Sequence, residues 1–179
     1  MTRVLVDTVS MKWTRQGLES RGFRGFVPFS GLTGAEIPKV AGVYVVVRPA
    51  VSPPVFVSTS AAGHFKGRDP SVRVEVLQEA WVEGAEVLYF GKAGSGRDGR
   101  RGLRKRLDEY RRFGMGEAVA HWGGRFIWQM DDAGALLVGW WPTPQEDPSD
   151  VEARMIAEFV DAYGARPFAN RNRGRRFRS

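Results

Sequence analysis

Between Val87 and Arg112 the chain reads VLYFGKAGSGRDGRRGLRKRLDEYRR, and three of its side chains have types and spacing suited to a phosphate. Lys92 stands just past a short apolar run, Val87–Phe90, that predicts a buried strand. A glycine-rich basic loop from Gly91 to Gly102 follows. After it Leu103, Leu107 and Tyr110 recur at helical spacing. On that spacing Arg106 falls inside the apolar stripe beside Tyr110. An arginine turned toward a core needs an anion or a pocket to offset its burial. Strand, glycine loop and a helix with one inward arginine make a plausible phosphate cradle.

Other candidates lie elsewhere. Glu152 shares a helical face with Ile156, Phe159, Val160 and Tyr163, on a helix predicted from about Asp150 to Tyr163 and ended by Gly164 and Pro167. Two readings of it stand side by side. Ser149-x-x-Glu152 fits a capping box. Alternatively, the carboxylate faces a pocket and holds a divalent ion together with substrate phosphate and water. Tyr44 and Tyr89 each sit on strand-like runs, where taken singly they fit a core role with a bonded hydroxyl. His121 and Arg125 belong to a His-Trp-Gly-Gly-Arg cluster, either a site element or a glycine turn packed by Trp122. His64 and Lys66 fall in a polar, glycine-containing stretch and read as solvated loop residues.

The elements that would position these side chains can be read in part. Ala41–Val47 is a β-branched run and predicts a central strand stopped by Pro49. Val55–Val57 predicts a short strand. Val74, Leu77, Gln78 and Trp81 predict a helix leading up to Gly84. Phe126–Met130 and Leu136–Trp141 flank Asp131-Asp132-Ala133-Gly134, which predicts a hairpin. Met1 to Lys39 has no long period. There Phe23, Phe26 and Phe29 lie among turn-forming glycines and proline and are expected to cover a core edge.

Composition narrows the class. With 179 residues, 42% hydrophobic content and six tryptophans, the chain fits one packed domain with extensions. No run of eighteen apolar residues occurs, and the N-terminus lacks the apolar region of a secretory signal, so a cytoplasmic protein is expected. There are no cysteines, which excludes disulfides and thiolate zinc sites, and the two histidines are far apart. The formal charge of +7 is unevenly placed. Lys92–Arg112 holds nine basic residues against three acidic ones, and Arg166–Ser179 holds six arginines and no acid, so the remainder is net acidic. Two basic patches on an acidic body suggest a polyanion partner, the alternative being a solubilising surface.

Taken together these residues resemble the GIY-YIG nuclease superfamily. Gly42-Val43-Tyr44 followed by Tyr89-Phe90-Gly91-Lys92 resembles its paired signature. Leu103-Arg104-Lys105-Arg106-Leu107 with Tyr110 resembles its first helix, Glu152 its metal-binding glutamate, and Pro167 and Asn170 its closing motif. The match spans roughly Gly42 to Asn172, with Arg48–Glu86 unmatched. It departs from the family in having YFG for the second motif and forty-odd residues between the half-motifs, usually joined by a short hairpin. Its loop after Lys92 is also long and arginine-rich.

The resemblance implies an α/β fold: a small, mainly antiparallel sheet flanked by helices, with an N-terminal extension over 1–40, a nuclease domain over 41–172 carrying an insertion at 48–86, and a basic tail over 173–179. It implies a metal-dependent DNA endonuclease of restriction or repair type that leaves a 5′-phosphate. The alternatives are a non-catalytic nucleic-acid-binding module on the same fold, and an RNA or single-strand nuclease. By that resemblance Tyr44 is the general base or positions the attacking water, and Tyr89 supports it. Lys92 lies near the water or the scissile phosphate, Arg106 stabilises phosphoryl charge and Tyr110 hydrogen-bonds in the cluster. Glu152 holds one Mg²⁺ or Mn²⁺, and Asn170 braces the site. A tyrosine base needs a lowered pKa, expected from Lys92, Arg106 and the metal. Nucleic-acid contacts are expected from Arg97, Arg100, Arg101, Arg104, His121, Arg125, Arg171 and Arg173.

Overall fold

A computed structural model of the protein describes residues 12–171. In chain order the elements are α1 (Arg15–Ser20), β1 (Arg24–Pro28), β2 (Gly42–Val47), α2 (Val74–Ala80), β3 (Val87–Ala93), α3 (Leu103–Gly114), β4 (Leu137–Pro142) and α4 (Pro148–Tyr163), with short 3-10 turns between them. The strands form one sheet in the order β1-β4-β2-β3, and every pair is antiparallel. The α/β class expected from the sequence is present, and β2 is central, with all six residues buried.

Alternation along β2 divides the core into two layers. Tyr44 and Val46 face a cluster built with Leu103, Leu107, Tyr110 and Phe113 of α3 and with two 3-10 segments, Phe29–Gly34 and Trp122–Gln129. Val43, Val45 and Val47 face a second cluster with Trp13, Leu18 and Phe23 near α1 and with Val151, Met155 and Phe159 of α4. The N-terminal segment therefore does more than cover an edge. It supplies β1 as the fourth strand, and Phe23, Phe26 and Phe29 are all buried.

Several local expectations are corrected. The predicted hairpin does not form: Trp122–Gln129 is 3-10 helix, and Met130 only bridges Phe56. A run of five residues, apolar but for Gln129, carries no period that separates strand from helix, and the preceding Gly123-Gly124 admits a tight turn. Val55–Val57 makes that single bridge and no strand. Its segment is held instead by Gln129, fully buried, whose amide donates to Val57 O and Val72 O and accepts from Val72 N. Strand β3 runs on to Ala93, so the glycine loop begins at Gly94, because Gly91, Lys92 and Ala93 still pair with Tyr44, Val43 and Gly42. The helices over 74–80 and 148–163 lie where the periodicity put them, and Gly164 closes the latter at φ 73°. The capping box is absent. Asp147 caps α4 by accepting from Ser149 N, with Pro148 in the first turn.

Strand β3 is an edge strand, and residues 167–170 close that edge. Asn170 accepts from Phe90 N at 2.9 Å and donates to Phe90 O at 2.8 Å, as a neighbouring strand would, while Ala169 N donates to Leu88 O. Replacing Asn170 by alanine strands both backbone groups in a buried place. We expect a loss of about 2 kcal/mol and a fall in melting temperature of roughly 4–8 °C, read by calorimetry.

Candidate active site

Tyr44 lies at the centre of a fully buried cluster. Its cross-strand partner on β3 is Gly91, and a β-carbon there would sit 2.1 Å from the Tyr44 ring. The bare glycine is what lets the ring lie across β3. Tyr89 and Tyr110 surround it, with ring centroids 6.1 Å from Tyr44 in both cases and 5.7 Å from each other. Tyr110 donates its hydroxyl to Gly124 O at 2.9 Å, and a β-carbon on Gly124 would meet that hydroxyl at 2.2 Å. The Gly123-Gly124 turn thus fits closely against the aromatic cluster.

His121 completes the group. It was expected at the nucleic-acid surface, yet it is wholly buried. Its ring stacks flat on Tyr110, centroids 3.7 Å apart and planes within 2°, and its Nε2 lies 2.8 Å from the Tyr44 hydroxyl. Burial, and then the nearby Arg106 charge, hold its pKa well below the ordinary histidine value, so it is neutral at neutral pH. A neutral imidazole nitrogen against a phenol can accept that phenol's proton.

Arg106 reaches this cluster from α3. Its Nη1 donates to Ala120 O at 2.9 Å and pairs with Glu109 at 3.2 Å. The guanidinium lowers the pKa of Tyr44 and of Tyr110, and it acts on Tyr89 in the same sense. It does not prevail. Burial is the largest influence, and it pushes Tyr44 up to about 12 and Tyr89 and Tyr110 well above their usual value. Arg106 by itself does not acidify Tyr44: desolvation of a phenolate outweighs one guanidinium.

Lys92 alternates to the α4 side of β3 and pairs with Glu152 at 2.9 Å. Glu152 is only 16% exposed, and burial raises its pKa despite Lys92 and Arg106, which lower it. It is near enough to raise Tyr44 and Tyr89 in turn. No group of three or more histidine, cysteine, aspartate or glutamate side chains gathers among the described residues, so there is no protein cage for a metal. A single carboxylate, here paired with Lys92, fits a hard divalent cation only when phosphate and water complete the shell.

Thus Tyr44, Tyr89, Lys92, Arg106, Tyr110 and Glu152 come together, and Asn170 acts from behind, through the Phe90 backbone. Of the expected nucleic-acid contacts, Arg97, Arg100, Arg101 and Arg104 are exposed on the loop and first turn of α3, and Arg101 forms an ion pair with Glu109 at 2.7 Å. Arg125 lies over the Trp122 and Phe126 rings and Arg171 is exposed, while Arg173 is outside the described residues. Sequence reasoning missed the pairing of His121 with Tyr44, the anchoring of Arg106 by Glu109, and the closeness of Gly91 and Gly124 to the rings. The only signal for the last was glycine beside aromatic residues in the run.

Compared with protein-family models, curated proteins and solved structures, the chain finds no match. Its chemistry has to be read from its own residues.

The raised tyrosine pKa values have a direct consequence. Unfolded tyrosines ionise near pH 10, whereas these three remain protonated while the fold holds, so stability present below pH 10 is lost as pH rises toward about 12. We expect absorbance titration of the four tyrosines to show Tyr44, Tyr89 and Tyr110 ionising together with loss of near-ultraviolet circular dichroism, above pH 10.

Proposed function

We propose that the protein is a metal-dependent endonuclease that hydrolyses phosphodiester bonds in DNA, as its resemblance to the GIY-YIG nucleases implies. The observation that carries this reading is the contact of the Tyr44 hydroxyl with neutral His121, 2.8 Å apart, within electrostatic reach of Arg106 and Glu152. A phenol with a pKa of about 12 is scarcely ionised at neutral pH, so Tyr44 works here as a relay. Its oxygen takes a proton from the attacking water as its own proton passes to His121 Nε2. The water oxygen then bonds to phosphorus, the bond to the 3′ oxygen breaks, that oxygen takes a proton from solvent to become a 3′-hydroxyl, and a 5′-phosphate remains. Arg106 is placed to offset charge on the phosphoryl oxygens. Glu152 would hold Mg²⁺ or Mn²⁺, and a bound ion there supplies further stabilisation of that charge. Lys92 balances Glu152 before substrate arrives and can turn to phosphate afterwards, because it is 45% exposed.

The direct test is incubation of purified protein with plasmid, single-stranded DNA and RNA, each with Mg²⁺, Mn²⁺ or EDTA. We expect metal-dependent cutting of DNA that EDTA abolishes. Binding without cleavage in every metal would instead make the chain a nucleic-acid-binding module. Under single-turnover conditions Tyr44→Phe and Arg106→Ala should each slow cleavage about a hundredfold while melting near wild type. Unchanged rates in both variants would refute the relay.

Glu152→Gln separates the metal reading from a structural one. The folded pKa of Glu152 is raised above its unfolded value, so above that value the carboxylate charge opposes folding. The neutral variant should therefore melt at least as high as wild type, since the lost Lys92 partner is half-exposed. Its cleavage should fall about a hundredfold and no longer respond to Mn²⁺.

A further inference from the structure

The first turn of α3 has a second flank. Arg106 and Tyr110 point toward the buried cluster. Arg104, Lys105 and Asp108, offset around the helix by its 100° step, line an open groove on the other side. The facing wall comes from the first 3-10 turn and the segment after it, through Leu32, Ile37 and Lys39. The groove encloses about 500 Å³ and joins a shallower one of about 590 Å³ that shares Thr33, Ile37, Lys39 and Arg104. The two walls are tied by backbone bonds from Leu103 N to Val40 O and Arg104 N to Pro38 O.

Five cations line this groove, Lys39, Arg100, Arg101, Arg104 and Lys105, and Arg101 is paired with Glu109. The other four are exposed, and none has a side-chain ion pair or hydrogen bond among the described residues. Most other basic residues nearby are neutralised: Arg101 and Arg106 by Glu109, Arg111 by Asp108, Arg112 by Glu117. Along α3 itself, the cations left without a carboxylate are thus those that line this groove. We infer that this groove seats the phosphate chain of the nucleic-acid substrate, so that α3 binds the strand on one flank and offers Arg106 to the reacting phosphate on the other. The inference rests on the nucleic-acid reading given above.

Two features favour a strand over a free nucleotide or single phosphate. The cations are all exposed, with no buried polar side chain aimed inward, which suits the water-rich charge contacts of a backbone. The two joined grooves also extend well past the size of one phosphate. A strand lying there would pass the loop over 94–102, with Arg97 and Arg100, on its way to Lys92.

The test is duplex binding in EDTA, where cleavage is silent, followed by fluorescence anisotropy across a range of salt. Lys39→Glu with Arg104→Glu should weaken binding at ~100 mM salt by at least about tenfold and reduce the salt slope by about two, one for each lost phosphate contact. The control is Arg15→Glu with Arg154→Glu, an equal change of charge on α1 and α4, over the other face of the sheet. It should shift binding less than about threefold. Should the charge reversal lower the melting temperature, Lys39→Gln with Arg104→Gln carries the same expectation at smaller size.

Equal losses in the groove and control variants, or a groove variant with wild-type affinity and slope, overturn the inference. So does displacement of the duplex by adenosine monophosphate at equal phosphate concentration, which would make the groove a nucleotide site, and so does a wild type that binds no duplex. A wild type that cuts DNA while the groove variant binds normally removes the groove and leaves the nuclease reading. A wild type that binds through the groove but never cuts does the reverse.

Discussion

The site depends on one close approach, the ring of Tyr44 against the bare backbone of Gly91. With a β-carbon 2.1 Å from that ring, no side chain fits at position 91 unless the sheet shifts. The consequence spreads outward. Tyr44 lying across β3 is within reach of Tyr89, Tyr110 and His121, and the stack of His121 on Tyr110 fixes where Nε2 meets the hydroxyl. The glycine turn at 123–124 then closes over the Tyr110 hydroxyl. An enlarged residue at either glycine position disturbs the same few contacts.

Burial gives this cluster its rigidity and sets its chemistry too. Three phenols in an apolar layer resist ionisation, because burial disfavours the phenolate. A histidine that is neutral for the same reason supplies what the phenols lack, an acceptor already in hydrogen-bond contact. Charge is confined to the margin: Arg106 at one side, Lys92 and Glu152 at the other, each partly open to solvent. On the nuclease reading proposed above, interior and margin divide the tasks of moving protons and meeting a charged ligand.

How much of this could be read in the sequence depended on periodicity and on chemistry near the chain. Strand β2, the strand at Val87, α3 and α4 have unbroken apolar patterns, and all four lie close to where those patterns put them. The inward lean of Arg106 followed from its place beside Tyr110 on the helix. Elements fixed by tertiary contacts were not legible. Strand β1 has only five residues, with a register shift between Gly25 and Val27, and exists because β4 offers it an edge. Within the 3-10 segment over 122–129, the part from Phe126 on has the composition of a strand. His121 stands 77 residues from Tyr44, and no local signal ties the two. Glu152 had a credible local partner in Ser149, but Asp147 had already taken the cap, and a lysine 60 residues earlier won the carboxylate.

The clamp of Asn170 on Phe90 also bears on the order in which the molecule can be made. Ribosomes deliver the chain from its amino end, so β2, β3 and the helix carrying Arg106 all emerge well before residues 169 and 170. Until those arrive, the outer edge of β3 offers the backbone groups of Leu88 and Phe90 to any passing strand. A nascent or truncated chain ending short of this point would keep most of its core and still carry a sticky border. Such a chain is prone to pair with its neighbours.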